Sequence, residues 1–466
     1  MRKLAITGLL LVGCLDTGHD TLEQELETSG LTAEYFRSTT FEANQRVLAR
    51  IEPSIDATYG WGSPASVVPV DNFGVRWSGA IVPRYSERYT LTIAADDTAR
   101  VYIDGQLVID HASAWAPSST QLALTANRAH AIVVEYAEHW GWAAARLEWQ
   151  SASQVREVIP TARLVPAPAP PPQPTAGSGG SDYPHGSCVE TRRPHWWDDY
   201  SSWVYEPAAP RPASAQVVVF NHGWMGNEPQ FYARWLDHLC RRGAIVIFPR
   251  YQNLLTLPQF FTPNAIVAVK DALAWLATPG HVQPRIADGM VVLGHSAGGT
   301  VSMSMAGAAA AQGLPVARAV FPVQPAAPAV VPFTDLPAIP ATTRVGCFVG
   351  DADTVVGRLG CDAAFAGTPQ ITGKRYWWQF SDGHGAPRLV ADHFQPSEAA
   401  GYIDALDTRG AWRIADDMIS CAFTGTSCNA TTVGQGAWSD GTPVHPLALT
   451  IDALPGCPAG STATGC

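Results

Sequence analysis

A proline-rich segment near the middle of the chain divides it into two parts with different patterns of apolar residues. Residues 166–181 read PAPAPPPQPTAGSGGS. Because proline fixes φ and has no amide hydrogen, this run continues neither a helix nor a central strand, and its Gly and Ser residues add slack. We therefore predict a linker over residues 166–186 with one folded domain on each side. A chain of 466 residues has room for both, at about 100 to 200 residues per domain.

Before the linker, residues 30–165 contain short stretches in which apolar and polar residues alternate. Residues 89–93 (YTLTI) and 131–136 (AIVVEY) are examples, and Asp104-Gly105 is a turn signal. Alternation with a period of two predicts half-buried strands, and no helical spacing interrupts it. This part of the sequence therefore predicts an all-β sandwich or barrel.

After the linker, short and fully apolar runs alternate with stretches of helical spacing. Strands that are buried on both faces have this composition, so the pattern predicts a mostly parallel sheet flanked by helices. The predicted fold class is thus multidomain: an all-β sandwich followed by an α/β domain over residues 187–430, with a cysteine-containing tail over 431–466. The apolar runs are residues 217–220, 245–248, 290–293, 319–323, 345–349 and 376–380.

The first residues have the pattern of an export signal. Arg2 and Lys3 precede an apolar run over residues 4–12, which is too short to span a bilayer but suits a secretory signal. The run ends before Cys14 in a pattern that resembles a bacterial lipobox, which implies a lipoprotein signal peptide over 1–13, lipidation of Cys14 and a tether over 14–29. We expect export to the bacterial envelope with a membrane partner through the lipid, and Leu15 favours the outer membrane. An ordinary cleaved signal and secretion is the alternative.

The other cysteines fit an exported protein. Eight remain when Cys14 is set aside, and an even number in an oxidising compartment predicts disulfides. The short-range candidate pairs are Cys421 with Cys428, Cys457 with Cys466, and Cys347 with Cys361. Zinc binding is the weaker alternative, because the usual ligand spacing is missing.

The charge pattern argues against a nucleic-acid partner. The formal net charge is −11, and the lysines are Lys3, Lys270 and Lys374. A nucleic-acid-binding domain usually carries a basic patch, and the sequence has no basic cluster.

Residues 73–110, FGVRWSGAIVPRYSERYTLTIAADDTARVYIDGQLVID, resemble the β-sandwich module named after the anthrax toxin protective antigen. The resemblance implies a carbohydrate-binding module with a glycan partner. In lectin-type members an Asp-Asp pair ligates calcium, and Asp96-Asp97 stands at the matching place, where two carboxylates suit a hard cation. The alternative is a solvated turn whose acids cap the next strand. Four aromatic residues near that end are candidates for stacking on sugar rings or for core packing: Trp61, Trp115, Trp140 and Trp142.

The pattern that points most directly to chemistry is Gly294-His295-Ser296-Ala297-Gly298, which follows the apolar run at 290–293 and precedes a stretch of small residues. At a strand-to-helix turn, glycines on both sides let the backbone bend sharply and expose the serine oxygen. The spacing therefore predicts a nucleophile at Ser296.

A serine nucleophile needs a base and an orienting acid, here in the order Ser, Asp, His. Gly350-Asp351-Ala352-Asp353 follows one apolar run, and Ser381-Asp382-Gly383-His384 follows the next. With these residues the chain resembles an α/β-hydrolase, which implies Asp353 as the acid with Asp351 as the rival. For the base we prefer His384, because it directly follows the strand, and keep His393 as the alternative.

The same resemblance implies two backbone donors for the oxyanion of the intermediate. Asn221-His222-Gly223-Trp224 follows the run at 217–220, so we assign the amides of Trp224 and Ala297. The short segment 324–343 and the aromatic run 376–378 most resemble the chlorophyllase-like and cutinase-like polyester hydrolases.

These observations predict a lipid-anchored serine carboxyl-ester hydrolase that acts through an acyl-enzyme, without a catalytic cofactor, on an ester substrate that includes polymers. Calcium in the sandwich is the one cofactor that the resemblance implies. Two alternatives stay open: a serine peptidase of the same fold, and a surface glycan-binding adhesin whose hydrolase scaffold has lost its activity.

Overall fold

The computed structural model describes residues 29–112, 116–398 and 403–466. The predicted signal peptide, Cys14, nearly all of the tether and Trp115 lie outside the described residues. The chain divides into two compact units, one formed by residues up to Phe41 together with Leu48–Ala167, and the other by Glu42–Val47 together with Pro168–Cys466. Each unit is described by itself.

The first unit is built from antiparallel strands in two sheets, as its alternating pattern predicts. One sheet has the order β2-β1-β4-β9-β6-β7 with β12 beside β4, and the other has the order β11-β10-β5-β8 with β3 beside β10. The strands are β1 Leu31–Phe36, β2 Arg46–Glu52, β3 Asp56–Gly60, β4 Phe73–Ile81, β5 Glu87–Asp96, β6 Thr98–Ile103, β7 Gln106–His111, β8 Ser118–Leu124, β9 His130–Glu138, β10 Ala143–Gln150, β11 Glu157–Val158 and β12 Leu164–Pro166.

Alternation along β5 produces the core between these sheets. Tyr89, Leu91 and Ile93 are buried, whereas Thr90 and Thr92 between them are only partly covered. Side chains of a strand point to opposite faces in turn, so one face packs inward and the other meets water. The all-β sandwich prediction is confirmed.

The second unit is a sheet covered on both faces by helices. Its strands are β13 Ser187–Arg193, β14 Ser202–Ala208, β15 Ser214–Asn221, β16 Ala244–Pro249, β17 Gln283–Pro284, β18 Met290–His295, β19 Ala317–Val323, β20 Arg344–Gly350, β21 Arg375–Gln379 and β22 Ala448–Ile451. The α-helices are α1 Ala233–Arg241, α2 Phe261–Leu276, α3 Ala297–Gln312, α4 Leu359–Ala366 and α5 Trp412–Thr424. Shorter turns of helix lie at Asp198–Tyr200, Pro229–Phe231, Pro258–Phe260, Ile286–Asp288, Leu336–Ala338 and Asp407–Ala411.

The order of the strands is β13-β14-β16-β15-β18-β19-β20-β21-β22. The central strands from β16 to β21 run parallel, and β14 and β22 pair antiparallel at the two sides. The carboxyl ends of the parallel strands therefore meet at one edge of the sheet, where open α/β sheets place their sites. The predicted mostly parallel sheet flanked by helices is confirmed.

Successive residues of β15 explain why the apolar runs are continuous. Val217 and Val219 pack in one core, and Val218 and Phe220 pack in the core on the opposite face. Helices α2 and α3 cover the first of these faces, and α1 and α5 cover the second. A strand with helices on both faces has no polar side, so the run at 217–220 is apolar at every position.

The disulfides match the short-range pairs that the spacing predicts. Cys347–Cys361, Cys421–Cys428 and Cys457–Cys466 are all bonded. The remaining pair, Cys188–Cys240, joins β13 to α1 across 52 residues.

The predicted linker is held against the second unit over much of its length. The backbone amide of Gly179 donates to the buried carboxylate of Asp416 at 2.7 Å, and the amide of Ala386 donates to the carbonyl of Pro168 at 3.0 Å. A Cβ at Gly179 would lie 1.9 Å from the carbonyl oxygen of Thr408, so only glycine fits this approach. Instead of the slack expected from composition, the segment from Pro168 onward is fixed by these contacts.

The cysteine-containing tail is also part of the second unit. Strand β22 pairs with β21, and further on the amides of Thr462 and Thr464 donate to the carbonyls of Asp351 and Asp353 at 2.9 Å each. The tail therefore supports the loop that follows β20. Within the described ranges, the helices are all too short or too polar to cross a membrane.

Candidate active site

Ser296 lies at a sharp turn between β18 and α3. Its φ of 55° and ψ of −124° are unusual for a residue with a side chain, and such strain is typical of functional turns. A Cβ at Gly294 would lie 2.5 Å from the carbonyl oxygen of Gly298, and a Cβ at Gly298 would lie 2.1 Å from that of Asn221. Both glycines are therefore needed for the turn that presents Ser296.

His393 is the base candidate that the structure brings to this serine. Its Nε2 lies 2.9 Å from Ser296 Oγ, and its Nδ1 lies 3.0 Å from Asp353 Oδ2. In the tautomer that suits catalysis, Nδ1–H donates to the carboxylate and Nε2 accepts the serine proton. The three side chains form one continuous hydrogen-bonded chain.

The preference for His384 is wrong. Its Nε2 bonds to Asp440 Oδ2 at 2.7 Å, and the residue is exposed. The segment after β21 first makes an antiparallel turn closed by hydrogen bonds between Asp382 and Leu389, and only then returns to the sheet edge. His384 lies on the outgoing part of this turn, so its closeness to the strand end in sequence does not place it near the nucleophile.

Asp353 is the carboxylate that the structure places beside the imidazole. Its other oxygen, Oδ1, accepts the amides of Val355 at 2.9 Å and Val356 at 3.0 Å. Burial alone would raise the pKa of the Asp353 carboxyl, but the hydrogen bond and charge interaction with His393 and the backbone amides of Val356 and Gly357 hold the pKa below its ordinary value. The carboxylate therefore stays ionised at neutral pH and can stabilise an imidazolium.

Asp351, the rival acid, has a different role. Its Oδ1 accepts the hydroxyl of Ser381 at 2.7 Å and the amide of the same residue at 3.0 Å. That hydroxyl oxygen accepts the amide of Ala391 at 2.9 Å, two residues before His393. Asp351 thus holds the loop that carries the base and does not contact the imidazole as Asp353 does.

The predicted oxyanion donors flank the serine. Among the described residues, the amides of Trp224 and Ala297 donate to no protein acceptor, whereas the amide of Gly223 donates to the hydroxyl of Tyr232. A Cβ at Gly223 would lie 3.3 Å from Ser296 Cβ, so this loop passes directly beside the nucleophile. Two free N–H groups beside a candidate nucleophile are the arrangement that an oxyanion hole requires.

Several exposed apolar side chains lie on the loops of this sheet edge. The loop after β16 is the most pronounced case, because Leu254 and Leu255 are 81% and 86% exposed. Large exposed apolar surfaces mark binding sites more often than chance contacts. Members of this group from five different loops are Trp196, Trp224, Leu254, Leu255, Val355 and Phe394.

In the first unit, the carboxylate of Asp97 in the Asp96-Asp97 pair caps backbone amides. Asp97 Oδ2 accepts the amides of His139 at 2.9 Å and Trp140 at 3.4 Å. Burial and the adjacent Asp97 carboxylate raise the pKa of Asp96. Across residues 29–112, 116–398 and 403–466, no group of three or more His, Cys, Asp or Glu side chains is arranged to hold a metal ion. The doublet by itself is an incomplete ligand set for calcium.

Aromatic rings near this doublet project into solvent. Trp61 and Trp140 are 74% and 78% exposed, and Trp142 lies edge to face with Trp61 at a centroid distance of 6.3 Å. Exposed indoles of this kind combine a large apolar surface with a polar N–H. They differ in this respect from the buried Trp77 and Trp149 of the same unit.

Fold and site together define a domain of the α/β-hydrolase class that follows a β-sandwich. The PA14 domain family matches residues 27–162, and a family described as alpha/beta hydrolase fold matches residues 218–346. The chain therefore carries a PA14 domain followed by an α/β hydrolase domain. The second match ends before Asp353 and His393, so the assignment of these two residues rests on geometry.

Single relatives cover smaller parts of the chain. The anti-sigma-I factor RsgI3 of Acetivibrio thermocellus is 31% identical over 223 residues, 47% of this chain and 34% of that protein. The chain thus spans about a third of that curated relative. A solved anti-sigma factor domain-containing protein is 30% identical, covering 38% of this chain and 67% of its own with a TM-score of 0.30. A PA14 sugar-binding domain from an RTX adhesin is 16% identical, covering 30% of this chain and 98% of its own with a TM-score of 0.26.

Proposed function

We propose that the second unit is a serine hydrolase that cleaves carboxylic esters through an acyl-enzyme. The observation that carries this proposal is the unbroken chain from Ser296 Oγ through His393 to Asp353, with distances of 2.9 and 3.0 Å. Residues from three loops that are far apart in sequence meet at hydrogen-bond distance, which is the geometric criterion for such a site.

In the first half of the reaction, Ser296 Oγ attacks the ester carbonyl carbon while His393 Nε2 takes the hydroxyl proton. The amides of Trp224 and Ala297 donate to the oxyanion of the tetrahedral intermediate. When the intermediate collapses, its bond to the alcohol oxygen breaks and the alcohol leaves with the proton from His393. The acyl group stays bound to Ser296 as an ester.

In the second half, His393 deprotonates a water molecule that attacks the acyl-enzyme. A second tetrahedral intermediate forms in the same oxyanion hole and collapses to the carboxylic acid, and Ser296 regains its proton. Asp353 remains ionised throughout and stabilises the imidazolium. The exposed apolar edge supports a bulky or polymeric ester over a small one, in line with the cutinase-like branch.

The proposed location is the bacterial envelope, with a lipid at Cys14. Four disulfides support an oxidising compartment. The PA14 domain would then hold the enzyme on a glycan, and the exposed Trp61 and Trp140 support this role. We propose no nucleic-acid partner.

Turnover and covalent labelling test the proposed function directly. We expect the full chain to hydrolyse p-nitrophenyl acetate and butyrate and to be labelled by a fluorophosphonate, with the label on the peptide that contains Ser296. Activated serine nucleophiles react with such probes because their proton is removed by the neighbouring base. A chain that neither turns over esters nor accepts the label would be a scaffold without catalysis, which is the adhesin alternative.

Glycan binding is a separate prediction for the first unit. We expect the full-length Ser296→Ala protein to bind glycans on an array, and Trp140→Ala to weaken this binding about fivefold, since one aromatic contact contributes about 1 kcal/mol. Val155→Ala is the matched control, because Val155 is 75% exposed on the same unit. The array is read with calcium and with a chelator. Equal binding by the Trp140→Ala and parent proteins would contradict the aromatic site, and equal binding with chelator would exclude calcium.

A further inference from the structure

Tyr232 and His295 are buried polar residues beside the triad. Neither takes part directly in the proposed reaction. Both are almost fully covered. Tyr232 Oη lies 2.9 Å from His295 Nδ1 and also 2.9 Å from the amide nitrogen of Gly223. On its other side, His295 Nε2 lies 2.8 Å from the carbonyl oxygen of His393. These four residues form a second hydrogen-bonded chain, separate from the triad.

The donor at one end and the acceptor at the other fix the direction of every hydrogen bond between them. The amide of Gly223 can only donate, and the carbonyl of His393 can only accept. Tyr232 Oη therefore accepts from Gly223 and donates its proton to His295 Nδ1, and His295 Nε2–H donates to His393. Tyr232 Oη makes two hydrogen bonds in this arrangement, and each ring nitrogen of His295 makes one.

The arrangement requires a neutral imidazole at His295. Burial, together with the nearby His393, lowers the pKa of His295 to about 3. A neutral ring keeps Nδ1 as an acceptor. The hydrogen bonds of Tyr232 and His295 therefore persist over the pH range in which a His base works.

This hydrogen-bonded chain connects the loop of the proposed oxyanion donor to the loop of the proposed base. At one end, Gly223 directly precedes Trp224, whose amide is the proposed oxyanion donor. At the other end is the backbone of His393, the base. His295 is the neighbour of Ser296 in sequence, so both loops are tied to the segment that carries the nucleophile.

We infer that Tyr232 and His295 are positioning residues that hold the oxyanion amide of Trp224 and the imidazole of His393 in matched positions around Ser296. This inference rests on the proposed function. A displacement of about 1 Å in such a site can reduce the rate about 100-fold. Two loops that are joined by one continuous row of hydrogen bonds cannot shift independently of each other.

The hydroxyl of Tyr232 is not needed for packing. The ring already packs against Phe220 at a centroid distance of 4.9 Å and against Phe248 at 6.2 Å. Phenylalanine would keep these contacts and would remove only the link between Gly223 and His295. Tyr232→Phe therefore tests the chain with little change to the core.

The test compares Tyr232→Phe, His295→Phe and the double variant with the unsubstituted full chain. We expect kcat for p-nitrophenyl butyrate to fall about 10- to 100-fold in each single variant, with KM within twofold. The affinity for a phenylboronic acid, which forms a tetrahedral adduct on the serine, should fall by the same factor as kcat/KM. The kcat of the double variant should be no lower than that of the less active single variant, because either substitution already breaks the hydrogen-bonded chain.

Tyr376→Phe is the matched control for loss of a buried tyrosine hydroxyl. Tyr376 Oη lies 3.1 Å from Asp362 Oδ1 and takes no part in the hydrogen-bonded chain from Gly223 to His393. We therefore expect this variant to keep the parent kcat. Melting temperatures show whether each variant folds; if His295→Phe does not fold, Tyr232→Phe alone decides.

Two results would overturn the inference while leaving the proposed function standing: parent-like kcat in Tyr232→Phe, or a fall in kcat without any loss of boronic acid affinity. By contrast, an unsubstituted chain that neither hydrolyses esters nor binds the boronic acid would contradict the proposed function, and this inference with it.

Discussion

We expect replacement of His393 by alanine to reduce kcat/KM for p-nitrophenyl butyrate by about four to six orders of magnitude, whereas His384→Ala should keep it within about twofold. His393 Nε2 is the atom within hydrogen-bond distance of Ser296 Oγ. Without this base the serine proton has no acceptor, and the hydroxyl is a poor nucleophile. His384 is exposed and bonded to Asp440, so its loss changes a surface contact only.

The measurement is a comparison of steady-state kinetics for both variants with Ser296→Ala as the reference for a disabled site. We expect His393→Ala and Ser296→Ala to fall to a similar level, because members of a triad act as a unit. Loss of activity in His384→Ala with retention in His393→Ala would reverse the assignment of the base.

The second large effect is expected from Asp353→Asn, which should lower kcat about 10⁴-fold. The carboxylate accepts Nδ1–H of His393 and so keeps Nε2 free to accept the serine proton. An amide can turn its NH₂ toward Nδ1 instead and favour the tautomer that has its proton on Nε2. That tautomer cannot act as the base.

Asp351→Asn is the matched control for the acid. Asp351 bonds to Ser381 and acts on the loop that carries His393, not on the imidazole. We therefore expect a loss of at most about tenfold, in the range of a single displaced positioning contact. Kinetics should be read beside the melting temperature of each variant. A larger loss in Asp351→Asn than in Asp353→Asn would contradict the assignment of Asp353 as the acid that orients His393.

Local patterns were sufficient for several features of this protein. The glycines around Ser296 predict the turn because the pattern is local, and a side chain at Gly294 would collide with the carbonyl of Gly298 four residues later. The close approach of Asn221 to Gly298 adds a tertiary reason for the second glycine. The period of the apolar residues predicts both kinds of sheet, since burial on one face or on two faces leaves different patterns in the sequence. Short cysteine spacings predict three of the disulfides because few residues separate the partners.

The position of the base could not be read in the same way. Both His384 and His393 follow β21, and the choice between them depends on the turn closed by Asp382 and Leu389. This turn is held by contacts with residues distant in sequence, such as the amide of Ala386 on Pro168. The buried chain through Tyr232 and His295 was missed as well, and the only local signal was a histidine next to the nucleophile.

By itself, the sequence determined which kinds of element form, where the candidate nucleophile stands and which residue types are available to serve it. Only the tertiary structure decided which histidine serves Ser296, that the segment after Pro168 is held against the α/β hydrolase domain, and that the tail supports the loop of Asp353. The physical reason is the range of the interactions. Backbone sterics and burial periodicity act over a few residues and leave a local pattern, whereas a hydrogen bond between loops depends on where the whole sheet edge brings them.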